Sequence, residues 1–263
     1  MSEQRVLLFE QNGAVATLTL NRPEVGNSIH LDLASALLDA AIRCDSDASI
    51  RCVVLTGAGR MFCAGGDVAL LGAAGERSPA LLSELAGTFH MAVSRLARMR
   101  KPLLVLVNGP AAGAGLSLAL SGDIVLAARS AHFTAAYTAI GLTPDGGLTW
   151  LLPRLVGLRK AQEMILTNRR VAAEEAEALR MVTRTVDDAA LAEEGKATAD
   201  TLSHSAVSAL GATRALLLES FAAGYETQME KEARSIAAAS SGAEGCEGIA
   251  AFLGKRKPNY GGL

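Results

Sequence analysis

The stretch Leu103-Leu104-Val105-Leu106-Val107-Asn108-Gly109-Pro110-Ala111-Ala112-Gly113-Ala114-Gly115 fixes the fold class. Five consecutive apolar residues predict a strand buried on both faces, Asn108-Gly109-Pro110 turns the chain, and the small residues of 112–120 predict a tightly packed helix. A second passage follows the same plan. Arg51–Thr56 is another buried strand, closed by Gly57 and Gly59, and Gly57-Ala58-Gly59-Arg60-Met61-Phe62-Cys63-Ala64-Gly65-Gly66-Asp67 leads away from it. Strand 123–128 comes after the small-residue helix. Buried strands joined through helices give parallel crossovers, so the chain reads as α/β.

The N-terminus reads as a hairpin, with strands over 5–10 and 14–20 and a type I′ turn at Asn12-Gly13; Asn21-Arg22-Pro23 stops the second strand. Leu31, Ala34, Leu38 and Ala41 predict an amphipathic helix over 31–44. Leu81, Leu85, Ala92, Leu96 and Met99 predict a longer one over 81–99, broken by Lys101-Pro102. Beyond Pro144 the chain becomes helical, with segments at 146–155, 158–167, 173–180, 188–203, 206–223 and 226–239 and one strand at 182–186. The last helices carry apolar faces (Leu210, Leu216, Leu217, Phe221) that need cover from the body or from a neighbouring subunit. Met91, Met99 and Trp150 read as core residues.

Composition excludes several classes of function. In 263 residues, Lys+Arg 25 against Asp+Glu 27 leaves a net charge of −2, and the scattered bases form no footprint for nucleic acid. The longest apolar runs, 103–107 and 116–120, are far short of the ~20 residues that cross a bilayer. Met1–Glu10 has no apolar signal core, so nothing marks the chain for export. Cys44, Cys52, Cys63 and Cys246 show neither CxxC spacing nor metal-type pairing with the histidines. A reduced, cytoplasmic setting without bound metal is the expectation.

Chemistry is expected at the two glycine-rich loops. Small residues let a ligand approach backbone N–H groups, and two such loops facing each other would supply a pair of donors for a developing oxyanion. For a single loop, tight strand–helix packing is the commoner explanation. A dinucleotide fingerprint does not fit, since the second loop is GxxxGxG. Asp145, in Leu142-Thr143-Pro144-Asp145-Gly146-Gly147-Leu148-Thr149-Trp150, is a candidate acid/base, although an Asp ahead of a helix is also a favoured N-cap. Asp67 before Val68-Ala69-Leu70 invites the same N-cap reading. Ser117 lies inside a helix, ten residues past the strand, and Ala119 stands where a nucleophile elbow needs glycine, so a serine hydrolase is not expected. His90 reads as a helix-packing histidine.

Asn21-Arg22-Pro23, Ala64-Gly65-Gly66-Asp67, the Asn108–Gly115 segment and Gly141–Pro153, in this order and at these separations, resemble the crotonase (enoyl-CoA hydratase/isomerase) superfamily. The likeness runs nearly end to end, to Ala251-Phe252-Leu253-Gly254-Lys255. It implies a spiral of ββα units, an acyl-CoA-binding core over 1–200, and a helical region over 201–263 that builds a homotrimer or a dimer of trimers. It also implies that two backbone N–H groups stabilise a thioester enolate. These fall at Gly66 and Ala114. By the same carry-over, acyl-CoA lies near Glu24, Gly26, Ala64, Asp67, Val68 and Gly113, with Phe252 and Lys255 reaching its adenosine part. Coenzyme A is then part of the substrate, and no separate cofactor is expected.

Two departures shape the expected reaction. Hydratases of the superfamily carry two glutamates where this chain has Ser117 and Tyr137, neither of which is a carboxylate base at neutral pH. Asp145 occupies a position that isomerases use, and the string around it is most similar to the ring-epoxyphenylacetyl-CoA isomerase branch. The resemblance therefore implies an acyl-CoA isomerase with Asp145 as acid/base. A hydratase with non-standard acid/base groups, a 4-halobenzoyl-CoA-type dehalogenase using His90, and a non-catalytic acyl-CoA binder remain the alternatives. Pocket walls are expected from 68–90 and 130–143, including Leu70, Leu71, Tyr137 and Ile140.

Overall fold

The computed structural model describes residues 5–261; Met1–Gln4, part of the segment read above for export, lie outside the described residues. Nine strands and eleven helices follow one another among them. In chain order they are β1 (Leu7–Asn12), β2 (Val15–Leu20), α1 (Leu31–Ser46), β3 (Cys52–Gly57), α2 (Val68–Ala74), α3 (Ser78–Arg98), β4 (Leu103–Val107), β5 (Ala111–Ala112), α4 (Ala114–Ala119), β6 (Ile124–Ala128) and β7 (His132–Thr134). Then come α5 (Leu148–Val156), α6 (Leu158–Thr167), β8 (Val171–Ala172), α7 (Ala173–Ala178), β9 (Arg184–Val186), α8 (Leu191–Ser203), α9 (Val207–Ser220), α10 (Tyr225–Ser241) and α11 (Ala243–Leu253).

A six-stranded sheet of order β1-β2-β3-β4-β6-β9 forms the centre, antiparallel at the β1–β2 hairpin and parallel from β2 onward. β4 is buried along its whole length, as its unbroken apolar run requires. Each turn of the chain then touches a second, smaller layer before entering its helix. β5 pairs with β7 and β7 with β8, while Cys63 bridges to Ala111 and Ile29 to Gly66 as isolated parallel pairs. Strand, short crossing strand or bridge, helix: this is the repeated ββα plan.

Several expectations are corrected here. The hairpin loop is Gly13-Ala14, one residue later than expected, because Asn12 pairs with Val15. Only Gly13 has a positive φ in it, so the turn is not type I′, which needs two such residues. Helix α1 buries Leu33, Leu37 and Cys44 rather than Leu31 and Leu38. In α3, Phe89 joins Leu85, Ala92 and Leu96 on the buried face, while Met91 is exposed. Trp150 is 40% exposed, its ring edge-on to Phe221 under the Arg154 guanidinium, and is not core. Met99 is buried as expected. The short strands β5, β7 and β8 and helix α11 have no counterpart in the sequence reading, being too short or too small in residue size to show a period, whereas α2 starts after Asp67 as expected.

The helical tail docks on its own body through two arginines. Arg51 donates from Nε to Ser203 O and from Nη2 to Ser205 O, each at 2.8 Å. Arg214 of α9 donates to the carbonyls of Leu96, Met99 and Lys101 and pairs with Asp123, whose carboxylate also accepts Leu103 N at 2.7 Å. Farther on, Tyr225, Ile236, Phe252 and Leu253 stay exposed. All four cysteines are free, and among the described residues no group of three or more His, Cys, Asp or Glu could hold a metal ion. No described helix is long and apolar enough to cross a membrane.

The two glycine-rich segments meet backbone to backbone. A Cβ on Gly115 would collide with the carbonyl of Cys63, and one on Gly109 with that of Arg60. The variant Gly115→Ala is therefore expected to lose about 1–3 kcal/mol of stability, the usual cost of forcing atoms into a closed contact. Urea unfolding checks this; an unchanged midpoint would show that the segments separate freely.

Candidate active site

A cavity of about 620 Å³ opens where the two segments face each other. Ala64, Gly65, Gly66 and Val68 form one wall and Gly113 and Ala114 the next. Leu82, Leu85, Ala86 and Phe89 of α3 close one side, and Tyr137, Ile140, Leu142 and Asp145 another. The expected segments 68–90 and 130–143 contribute walls; Leu71, Tyr137 and Ile140 line the cavity as expected, while Leu70 is exposed outside the lining. Asp145 is the one carboxylate among the described lining residues.

Local structure presents two backbone donors to this space. Ala114 is the first residue of α4, capped by Gly113 at φ 53°, so its N–H has no intrahelical carbonyl to serve. Gly66 follows Gly65, whose φ of 103° turns the chain so that a Cβ there would lie 3.4 Å from Ala114 N. Among the described residues, neither Gly66 N nor Ala114 N donates to a protein acceptor. A Cβ on Gly66 would meet nothing within 4 Å, so that side of its backbone is open.

Hidden asparagines hold these loops. Asn27 is fully buried at φ 56°; its Nδ2 donates to the carbonyls of Ala58, Met61 and Phe62, and its Oδ1 accepts Arg22 N. Asn108 accepts Gly57 N and donates to Gly59 O. Asn27 was not singled out from sequence; the signal was an Asn after Gly26, where a left-handed residue is tolerated. Asp67 caps α2 as expected, accepting Leu70 N at 3.4 Å, and pairs with Arg22 at 3.0 Å. Burial alone would raise its carboxyl, but hydrogen bonds from Arg22, Leu70 N and Ser28 outweigh that and hold it below the usual range.

Asp145 does not cap a helix with its side chain. The N-cap of α5 is Gly147, and the N-cap reading of Asp145 is corrected. Its Oδ1 instead accepts the Tyr137 hydroxyl at 2.7 Å. Burial first, and then the adjacent carboxylate, push the Tyr137 phenol above its ordinary range, so it stays protonated and donates. Ser117 Oγ donates to Asp145 O at 2.9 Å and lies 3.2 Å from Tyr137 Oη. His90 is not a packing residue: its ring is half-exposed, and Nε2 accepts Gly146 N at 3.0 Å and stands 3.6 Å from Asp145 Oδ2. The three residues singled out separately, Ser117, Tyr137 and Asp145, are thus in mutual contact.

The remaining expected site residues lie farther out. Gly26 O accepts Ala64 N at 2.8 Å, and Glu24 sits exposed beside it in the turn Pro23–Val25; neither lines the cavity. Phe252 and Lys255 lie at the end of α11 and just past it, exposed and outside the lining.

Comparison with known proteins agrees with this architecture. The profile described as enoyl-CoA hydratase/isomerase matches residues 10–262. The chain is 40% identical to the 1,2-epoxyphenylacetyl-CoA isomerase of Escherichia coli, over 97% of this chain and 98% of that one. It is 36% identical to a Rhodobacter capsulatus protein named "probable enoyl-CoA hydratase", over 97% of each. The crystal structure of an enoyl-CoA hydratase from a Polaromonas species superposes with a TM-score of 0.92 at 32% identity, covering 96% of this chain and 98% of that one. Sequence, fold and the meeting of the two glycine-rich segments lead to one conclusion: the chain belongs to the enoyl-CoA hydratase/isomerase, or crotonase, family.

Proposed function

We propose that the protein is an acyl-CoA isomerase that moves a double bond within a thioester's acyl chain. The observation that carries this reading is that Asp145 is the one carboxylate in the described lining of a mostly apolar cavity. The thioester oxygen lies between Gly66 N–H and Ala114 N–H, whose hydrogen bonds strengthen as negative charge develops on it. Asp145 removes a proton from a carbon activated by the thioester, leaving an enolate held by those donors. The resulting carboxylic acid gives the same proton back at another carbon of the conjugated system. No water enters, so one carboxylate suffices.

Hydration asks for more. A water has to be positioned and deprotonated as well, and the two hydroxyls beside Asp145 are already committed to it. Aryl dehalogenation would need a base such as His90, whose Nε2 lone pair is engaged by Gly146 N. The 40% identity to a 1,2-epoxyphenylacetyl-CoA isomerase also favours isomerisation. Assembly is proposed as a trimer or a pair of trimers, with the exposed Tyr225, Ile236, Phe252 and Leu253 as the faces that neighbouring copies cover.

The reaction class is read by product mass on a panel of 2-enoyl-, 3-enoyl-, ring-epoxide and 4-halobenzoyl-CoA thioesters. Isomerisation leaves mass unchanged, hydration adds water and dehalogenation exchanges halide for hydroxyl. Unchanged mass with a moved double bond is expected, and rapid hydration of crotonyl-CoA would contradict the proposal. Asp145→Asn should bind acyl-CoA normally and turn over at least ~10²-fold more slowly.

The donors are tested at Ala114. Proline is tolerated at a first helical position, so Ala114→Pro deletes one N–H with modest damage to the fold. Turnover should fall about 10²–10³-fold on every thioester the enzyme accepts. A folded variant within tenfold of wild type would exclude this N–H as an oxyanion donor. Light scattering at micromolar concentration should report an oligomer, and a monomer there would refute the assembly.

A further inference from the structure

Asp145 C=O and Gly146 N–H are the two poles of one peptide group. Ser117 Oγ donates to the carbonyl at 2.9 Å, and His90 Nε2 accepts from the N–H at 3.0 Å. Ser117 comes from α4 and His90 from α3, so two helices grip the same peptide from opposite poles. Gly146 has no room to shift sideways. A Cβ there would lie 2.8 Å from both Phe89 Cε1 and Ser117 Cβ, and its φ is 60°. The Asp145 side chain leaves the backbone right beside this fixed plane.

We infer that His90 and Ser117 are positioning residues which clamp the Asp145–Gly146 peptide and thereby set where the Asp145 carboxylate stands against the thioester. The inference rests on Asp145 being the group that carries the proton. Ser117 meets only the backbone carbonyl of Asp145, whereas His90 Nε2 holds Gly146 N–H and also stands 3.6 Å from Asp145 Oδ2. Accepting through Nε2 requires a neutral imidazole with its hydrogen on Nδ1, so the lone pair that could deprotonate water is already in use. The clamp has a chemical purpose: displacement of a reacting group by about 1 Å is enough to cost ~10²-fold in rate. Tyr137 then fixes the carboxylate rotamer at Oδ1 on a backbone that no longer moves.

The test compares His90→Met, His90→Gln, Ser117→Ala, Asp145→Asn and the double variant His90→Met/Asp145→Asn on the panel thioester isomerised fastest. Met fills the ring's space without a strong acceptor, whereas Gln can place its Oε1 where Nε2 stood. His90→Met and Ser117→Ala should lower kcat roughly 10- to 100-fold with KM within about threefold. His90→Gln should recover to within about fivefold of wild type, since it restores the acceptor. In the Asp145→Asn background, His90→Met should change kcat by less than about twofold, because it acts through Asp145.

Wild-type kcat in both His90→Met and Ser117→Ala, with Asp145→Asn inactive, overturns the clamp and leaves the role of Asp145 standing. Full turnover by Asp145→Asn overturns the proposed function together with it. A His90→Gln enzyme as slow as His90→Met means that the acceptor is not what matters, and the inference fails. An undiminished His90→Met loss in the Asp145→Asn background assigns His90 an independent role and overturns it as well.

Discussion

The structure depends on a contact made without side chains. Segments 57–66 and 108–115 approach so closely that a Cβ at Gly109 or Gly115 would collide with a carbonyl across the gap, and one at Gly65 would stand 2.9 Å from Ala112 O. Only this approach lets two N–H groups from distant parts of the chain face one small volume. It also creates a difficulty, because loops brought inside carry carbonyls that water no longer reaches, and each such group left unpaired is costly. Asn27 and Asn108 resolve it. Their amides are short, rigid and able to donate and accept at once, so Asn27 serves the inward carbonyls of Ala58, Met61 and Phe62 and Asn108 takes Gly57 N.

A similar economy of polar groups governs the surroundings of Asp145. Two hydroxyl hydrogens serve three oxygen contacts among Ser117, Tyr137 and Asp145. The Tyr137 hydrogen goes to the carboxylate, because burial keeps the phenol protonated and Asp145 offers the stronger acceptor. That leaves the Ser117 hydrogen for the carbonyl of Asp145. In an apolar cavity such bonds are stronger than in water, and a group missing its partner is more costly. In the proposed reaction, protonation of Asp145 removes the charge from the phenol's acceptor and weakens that one hydrogen bond.

The helical tail meets the body by a different principle. Arg214 and Arg51 bury long side chains and spend their guanidinium hydrogens on the backbone carbonyls of segment ends, where helix and strand ladders leave acceptors unpaired. A fork of fixed donors can cap several carbonyls together, which a lysine cannot do as well. Near that joint Gly211 of α9 packs directly on the Arg100 backbone. Apolar residues stay exposed at the end of α9 (Leu217, Phe221) and along α10 and α11, so the tail is anchored at its near end and open at its far end.

What the sequence determined by itself is the part encoded in local runs. Buried strands such as Leu103–Val107, the helices with a strong apolar period and the paired glycine-rich loops are legible because each follows from neighbours a few residues apart, and the ordered motifs identify the family. The tertiary structure alone decided the rest. The turn slips to Gly13-Ala14 because pairing along the whole hairpin sets its register. Trp150 and Met91 turn outward because burial depends on which face of a helix meets the body, and hydrophobicity of a single residue does not report that. Asp145 looks like a helix cap until folding places Gly147 at the cap and Tyr137 at its carboxylate. His90 and Ser117, from helices α3 and α4, reach one peptide group only in three dimensions. A hydrogen bond between residues 56 or 28 positions apart leaves no periodic trace along the chain, so the geometry that holds Asp145 could be read only from the fold.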